Sequence, residues 1–319
     1  MAITLAEAAK LSHDDLQKGV VETFILESVV LDRLNLLSIE GNAYAYNEEA
    51  ALPGVEFRAV NGSYVESTGT VNQKTETLSI LGGDADVDTF IVKTRGNLND
   101  QRAVQTRLKV KAAVTKFQDT FINGDTAVDA NSFDGLKKRL TGAQVIDAAT
   151  NGLLVIGADD NARNAFFDKL DEAIAAVDNP GGIWMNRLIR QKVESSARRL
   201  TAYDETKDEF GRVVKTYQGL PLLDIGKKAD NTLIIPQTEV QGTSGAACSS
   251  IYVVGMSQDE SEHGVCGLFN GDSPEEPISV RDIGELDAKP AYRTRIEFFC
   301  GIAVFGGFAA SRLRGVLNG

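Results

Sequence analysis

The stretch from Asn42 to Val92, NAYAYNEEAALPGVEFRAVNGSYVESTGTVNQKTETLSILGGDADVDTFIV, decides how the rest of the chain is read. It has no helical periodicity and is rich in Gly, Asn, Ser, Thr and Glu. Short alternating runs, at Val55, Phe57 and Ala59 and again from Thr77 to Leu81, predict strands. Asn61-Gly62 and Gly82-Gly83 supply residues that tolerate positive φ, as tight turns require. A two-stranded ribbon of this length has no core of its own, and an isolated hairpin is marginal in water. So long an irregular excursion is also uncommon inside a compact domain. The ribbon is therefore expected to lie across a neighbouring subunit, with Phe57, Leu78 and Ile80 among its contacts.

The flanking segments fit that expectation. Before the ribbon, Ser12 is placed to cap a helix whose apolar residues Leu16, Val20, Phe24 and Leu31 recur near helical spacing. This arm has no partner within itself, so Phe24 joins the expected inter-subunit contacts. After the ribbon, Asn99 is a candidate N-cap, and Val110, Val114, Phe117 and Phe121 form one stripe before Asn123-Gly124 ends the helix. At 1.5 Å per residue this rod is roughly 37 Å long. From residue 151 to about 285 helices and strands alternate. Asp159 or Asp160 caps a helix with Phe166, Leu170, Ile174 and Val177 on one face, and Asn179-Pro180-Gly181-Gly182 breaks it. Ile183 to Met185 reads as a strand, and Asn186 caps a helix with Ile189, Val193, Ala197 and Leu200 inward. A charged loop from Tyr203 to Gly211 follows, then strands at Val213–Asp224, Thr232–Ile235 and Ser250–Gly255, and a closing strand at Tyr292–Phe299.

Composition bounds the function. The 319 residues carry 33 basic and 45 acidic side chains, a net charge of -12, which argues against a dedicated binder of nucleic acid or anionic membrane. Three scattered cysteines, Cys248, Cys266 and Cys300, make neither a disulfide framework nor a zinc cluster. The first ten residues have no basic and apolar regions of a secretion signal. The longest apolar run, Ile296 to Ala310, contains Glu297 and three glycines, falls short of the ~20 residues a membrane span needs, and predicts a buried strand.

Catalytic groups are scarce. The two histidines are His13 and His263, and His263 with Cys266 lacks the second pair that a metal site needs, so a surface loop beside a buried thiol is expected. Asp84, Asp86 and Asp88 imitate the start of a calcium loop, but Thr89 stands where its glycine belongs and Arg95 where its glutamate belongs. A solvated acidic turn is expected instead. The chain is read as no enzyme, with no metal or cofactor. One local excess stands out: Lys93, Arg95, Arg102, Arg107, Lys109, Lys111 and Lys116 face only Asp100 in sequence. Two readings stay open, ion pairing across subunit contacts and non-specific neutralisation of phosphates. On the helical wheel, Lys109 and Lys116 are expected to flank the packed stripe and meet acidic groups, while Arg107 and Lys111 point to another partner.

The order of arm, extended loop, long helix, mixed α/β region and late long strand resembles the Hong Kong 97 (Johnson) fold of tailed-bacteriophage major capsid proteins. The runs Gly41–Tyr44, Leu52–Val55 and Asn61–Tyr64 are similar to the start of that family's extended loop. Thr216–Leu222 resembles the Gly-hydrophobic-Pro turn of its axial domain, and Tyr292–Glu297 its last peripheral strand. The resemblance implies an α+β fold with an arm over 1–41, an extended loop over 42–92, a peripheral domain with a spine helix over 93–150, an axial domain over 151–285, and a return to the peripheral domain over 286–319. It implies a major capsid protein that self-assembles as pentamers and hexamers into an icosahedral shell enclosing double-stranded DNA. Arg107 and Lys111 would then face the genome. Its partners would be itself, scaffolding, portal and decoration proteins and non-specific DNA, with no membrane. Its place would be the virion capsid, after synthesis in the bacterial cytoplasm. With no long helical extension ahead of the arm, a separate scaffold or none is expected. A nanocompartment shell of the encapsulin type, enclosing cargo protein, is the alternative.

Overall fold

The computed structural model describes residues 28–95, 101–157, 159–199, 204–207, 213–245, 247–271 and 278–318. The arm positions up to residue 27, Phe24 among them, and the candidate cap Asn99 lie outside the described residues.

One strand organises the first sheet. The strand β14 (Ala291–Phe305) is fifteen residues long, and three antiparallel neighbours share it. The strand β4 (Ser79–Asp88) lies along residues 291–300; β13 (Ile278–Glu285) takes residues 292–298, and β12 (Gly264–Phe269) takes residues 300–305. The short strand β1 (Leu36–Ser38) adds in parallel to β12. The ribbon is a separate pair, β2 (Ala43–Ala51) with β3 (Thr70–Thr77).

The helices α1 (Thr89–Arg95) and α2 (Gln101–Asn123) follow β4. The predicted stripe of α2 is its packed face: Val110, Val114, Phe117 and Phe121 are all buried. It joins the first sheet to the second. The Phe117 ring lies 5.7 Å from Phe298 of β14, and the Phe121 ring 5.2 Å from Trp184. After a short helix α3 (Leu136–Arg139), the second sheet runs β5 (Val145–Asp147), β15 (Ala310–Leu317), β11 (Cys248–Gly255), β7 (Pro180–Met185), β10 (Leu220–Asp224), β9 (Val213–Tyr217) and β8 (Asp204–Lys207), with β6 (Leu153–Leu154) also on β15. Alternation along β7 and β11 serves two cores. Ile183, Met185, Ile251 and Val253 face the helices α4 (Asp160–Ala175) and α5 (Arg187–Arg199), while Trp184, Tyr252 and Val254 face the α2 side. Both helix caps form as read: the Asp159 carboxylate accepts from Ala162 N at 2.8 Å and the Asn186 amide oxygen from Ile189 N at 2.9 Å.

Several expectations are corrected. The arm stops earlier than expected, because Val30, Leu31, Leu34 and Leu36 are at most 1% exposed inside the main core. The span 42–92 divides: 43–77 is the ribbon, but β4 belongs to the sheet. Gly82 and Gly83 are strand residues and make no turn. A Cβ on Gly82 would sit 2.4 Å from the Ile296 carbonyl oxygen, and one on Gly83 3.1 Å from Cδ of Lys109, so both glycines allow close approach. The segment 204–207 is a strand and not loop, 213–224 is a hairpin turning at Gln218-Gly219 (φ 50° and 79°), and Thr232–Ile235 holds only an isolated bridge. The closing strand is longer than expected, and residues 310–317 do not stay with it. They cross to the second sheet as β15, where Leu313 and Val316 fill the α4/α5 core.

Candidate assembly surfaces

The ribbon has a packed root and a bare tip. At the root, Tyr46, Ile39, Cys266, Leu268, Ala303 and Phe305 form a small core, with Leu78 half-buried against it. Leu78, expected to contact another subunit, thus packs on its own chain. The Tyr46 hydroxyl donates to the Val304 carbonyl at 3.0 Å, and the Phe305 ring meets it edge-on at 4.9 Å. Burial, helped by the Glu76 carboxylate, pushes the Tyr46 phenol far up, so it remains a donor.

Between Ala51 and Thr70 the chain turns back without a strand. The tip is tied by its own polar contacts. Asn61 takes φ 67°, Gly62 N donates to Ala59 O at 3.0 Å, Ser67 Oγ to Gly54 O at 2.9 Å, and Arg58 lies over the Tyr64 ring. Its apolar side chains face outward: Leu52 is 78% exposed, Val55 99%, Phe57 108% and Val60 91%. Phe57 and Ile80 are both bare, at 108% and 73% exposure.

A second feature lies on the exposed face of the first sheet. Asp84 and Asp86 of β4 stand opposite Arg295 and Arg293 of β14 in register. Each carboxylate takes a two-pronged guanidinium contact, at 2.8 and 3.0 Å for Asp84 with Arg295 and 2.7 and 2.8 Å for Asp86 with Arg293. The expected acidic turn is therefore an acidic strand with basic partners. Among the described residues no group of three or more His, Cys, Asp or Glu is placed to hold a metal ion. Cys266 is buried in β12, and His263 Nδ1 contacts Asp178 at 2.5 Å.

The basic helix residues separate as the wheel requires. Lys109 lies over Gly83 of β4, whereas Arg107 and Lys111, one turn apart, are exposed on the other flank. Among the described residues, neither Lys109 nor Lys116 forms an ion pair within the subunit. Arg102 does, donating to Asp282 at 2.6 Å and stacking over Tyr292.

Residues 13–165 match the family Major capsid protein GP7. The chain is similar in fold to the holo-SrpI encapsulin of Synechococcus elongatus, at 20% identity and a TM-score of 0.66, covering 91% of this chain and 87% of that one. It is also similar to the capsid of a native GTA particle, at 15% identity and TM-score 0.61 over 91% and 90% of the two chains. A chain of Microbacterium phage Oxtober96 aligns at 13% identity and TM-score 0.55 over 90% of each. No curated protein sequence matches significantly. The fold is the Hong Kong 97 fold. The chain is a capsid shell protein.

For this capsid protein the charge ladder has a testable consequence. The Arg293 guanidinium and the Lys289 ammonium hold the Asp86 carboxyl far below the usual range, and Arg295 does the same, less strongly, for Asp84. A carboxyl with a depressed folded value stabilises the fold above its unfolded value, ~3.9, and that contribution is lost as pH falls towards the folded value. Asp86→Asn is therefore expected to lower the subunit's thermal midpoint at pH 7, with the gap to wild type narrowing from about pH 5 to pH 3. A gap that stays constant across this range would exclude the ladder as the cause.

Proposed function

We propose that this capsid protein assembles as pentamers and hexamers into an icosahedral shell that encloses double-stranded DNA, with a structural role and no catalytic one. The observation that carries the reading is the loop tip: four large apolar side chains, Leu52, Val55, Phe57 and Val60, stand bare together within nine residues of chain. Their burial against a neighbouring copy is what drives association in this reading. Ile80, exposed on β4 of the first sheet, is proposed as a separate contact, and Phe24 in the arm remains part of the proposal. Shell formation implies self-association; scaffolding, portal and decoration proteins are the further partners, and the virion is the location. Electron microscopy of the purified protein tests it directly. Closed particles are expected, and a permanently monomeric protein would exclude it.

The genome side of the reading rests on Arg107 and Lys111, exposed together on one flank of α2. Replacing both with Gln is expected to leave empty shells intact and to reduce the stability of filled particles at low salt, since phosphate contacts are screened by ions. Equal loss in empty and filled shells would mean that these charges hold protein to protein. The encapsulin likeness supports a second reading, a shell around cargo protein. Particles that carry protein and no nucleic acid after nuclease treatment would favour it.

A further inference from the structure

The root of the loop carries an ion pair that neither core nor tip explains. Glu76 sits in β3, one residue from the end of the ribbon, and Arg139 closes α3. The Arg139 guanidinium grips both carboxylate oxygens, Nη2 donating to Oε2 at 2.6 Å and Nη1 to Oε1. Its remaining edge is held too, Nε donating to the Asp134 carbonyl at 2.6 Å. Both side chains are largely enclosed, at 17% and 13% exposure, where a charge pair is screened less than at an open surface.

Arg139 stands on firm ground. Leu136 of the same short helix is fully buried in the main core. The turn ahead of it presses on the end of α2 so closely that a Cβ on Gly135 would lie 2.4 Å from the Thr120 carbonyl oxygen. The fork therefore ties a loop strand to a fixed part of the body.

The other strand of the ribbon has an open side. Beside Tyr46, Asn47 and Glu48 of β2 lies a cleft of about 520 Å³, walled opposite by Glu260, His263 and Phe308. A hydrogen bond of 3.4 Å from the Tyr44 hydroxyl to Glu260 reaches across at this end. The ribbon is thus braced along β3 by the fork and along β2 by Tyr46, whose hydroxyl also lies 3.5 Å from Glu76, with the open cleft beside it.

We propose that Arg139 and Glu76 are positioning residues that set the angle at which the loop leaves the subunit, and through it the geometry of the shell. The inference rests on the shell reading above, but the angle itself is measurable on unassembled subunits. The three native cysteines are buried, so Ser63→Cys at the tip and Val240→Cys on the body offer two exposed labelling sites. Spin-label distances between them are expected to be narrowly distributed in the parent protein. With Glu76→Gln or Arg139→Lys the distribution should broaden at least two-fold, while the circular dichroism of the subunit stays the same. Lysine keeps the charge but loses the fork, so its failure to restore the narrow distribution separates geometry from charge. The same variants are expected to give particles of mixed diameter or open sheets.

An unchanged distance distribution overturns the proposal. So does loss of the folded signal in both variants, which would make the pair a folding contact. A broadened distribution with wild-type shells would cut the link from angle to shell. If the parent protein forms no shells, the proposed function falls while the distances still decide the role of the pair.

Discussion

Replacing Leu52, Val55, Phe57 and Val60 together with serine is expected to leave a folded subunit that no longer forms shells. All four side chains are at least 78% exposed, so the fold has little to lose from their removal. In an assembled particle the balance reverses. Burying one such side chain is worth ~1.5–3 kcal/mol, of which association consumes a part. Even a net loss of ~3 kcal/mol per contact raises the concentration needed for assembly on the order of 100-fold. Light scattering and electron microscopy across a concentration series would measure the threshold, with the thermal midpoint as control. Shells at the wild-type concentration would show that the tip is not a contact.

The second large effect concerns where the arm ends and the body begins. Leu31→Ala is expected to cost ~2–5 kcal/mol of subunit stability, as for other large-to-small changes in a sealed core. Leu31 is 0% exposed and shares its cluster with Phe117, Phe121 and Phe298. Ser28 belongs to the same arrangement, its hydroxyl accepting from Leu31 N at 3.0 Å and from the Gln118 side chain at 3.1 Å. A chain that begins at Ser28 should therefore fold and assemble poorly, whereas one that begins at Ile39 should not fold. Circular dichroism and native sizing of the two truncations would decide it. A folded product from the shorter chain would place 28–38 in the arm after all.

The ladder and the loop clamp show two different uses of the same chemistry. In the ladder, Asp84 and Asp86 meet Arg295 and Arg293 directly across a strand pair that backbone hydrogen bonds already define. Their contribution is stability that depends on pH. Arg139 and Glu76 join two elements that share no strand pairing, so their contribution is direction.

The sequence by itself determined the features whose physics is local. The α2 stripe follows from 3.6 residues per turn, the caps at Asp159 and Asn186 from side chains that reach their own helix, and the Asn61-Gly62 turn from residues that tolerate positive φ. The bare tip between Ala51 and Thr70 was legible for the same reason, since a missing apolar partner is visible in the stretch itself, whereas the packed root of the ribbon was not. Only the tertiary structure decided that Leu34 and Leu36 belong to the core, that β4 joins β14, and that Ala310–Leu317 crosses to the second sheet. Strand pairing is settled between residues distant in sequence, and a short apolar run fits several partners equally well until one is fixed. The clamp is the extreme case. Glu76 and Arg139 are 63 positions apart, each is an ordinary charged residue in its own segment, and only the folded chain brings the fork to the carboxylate.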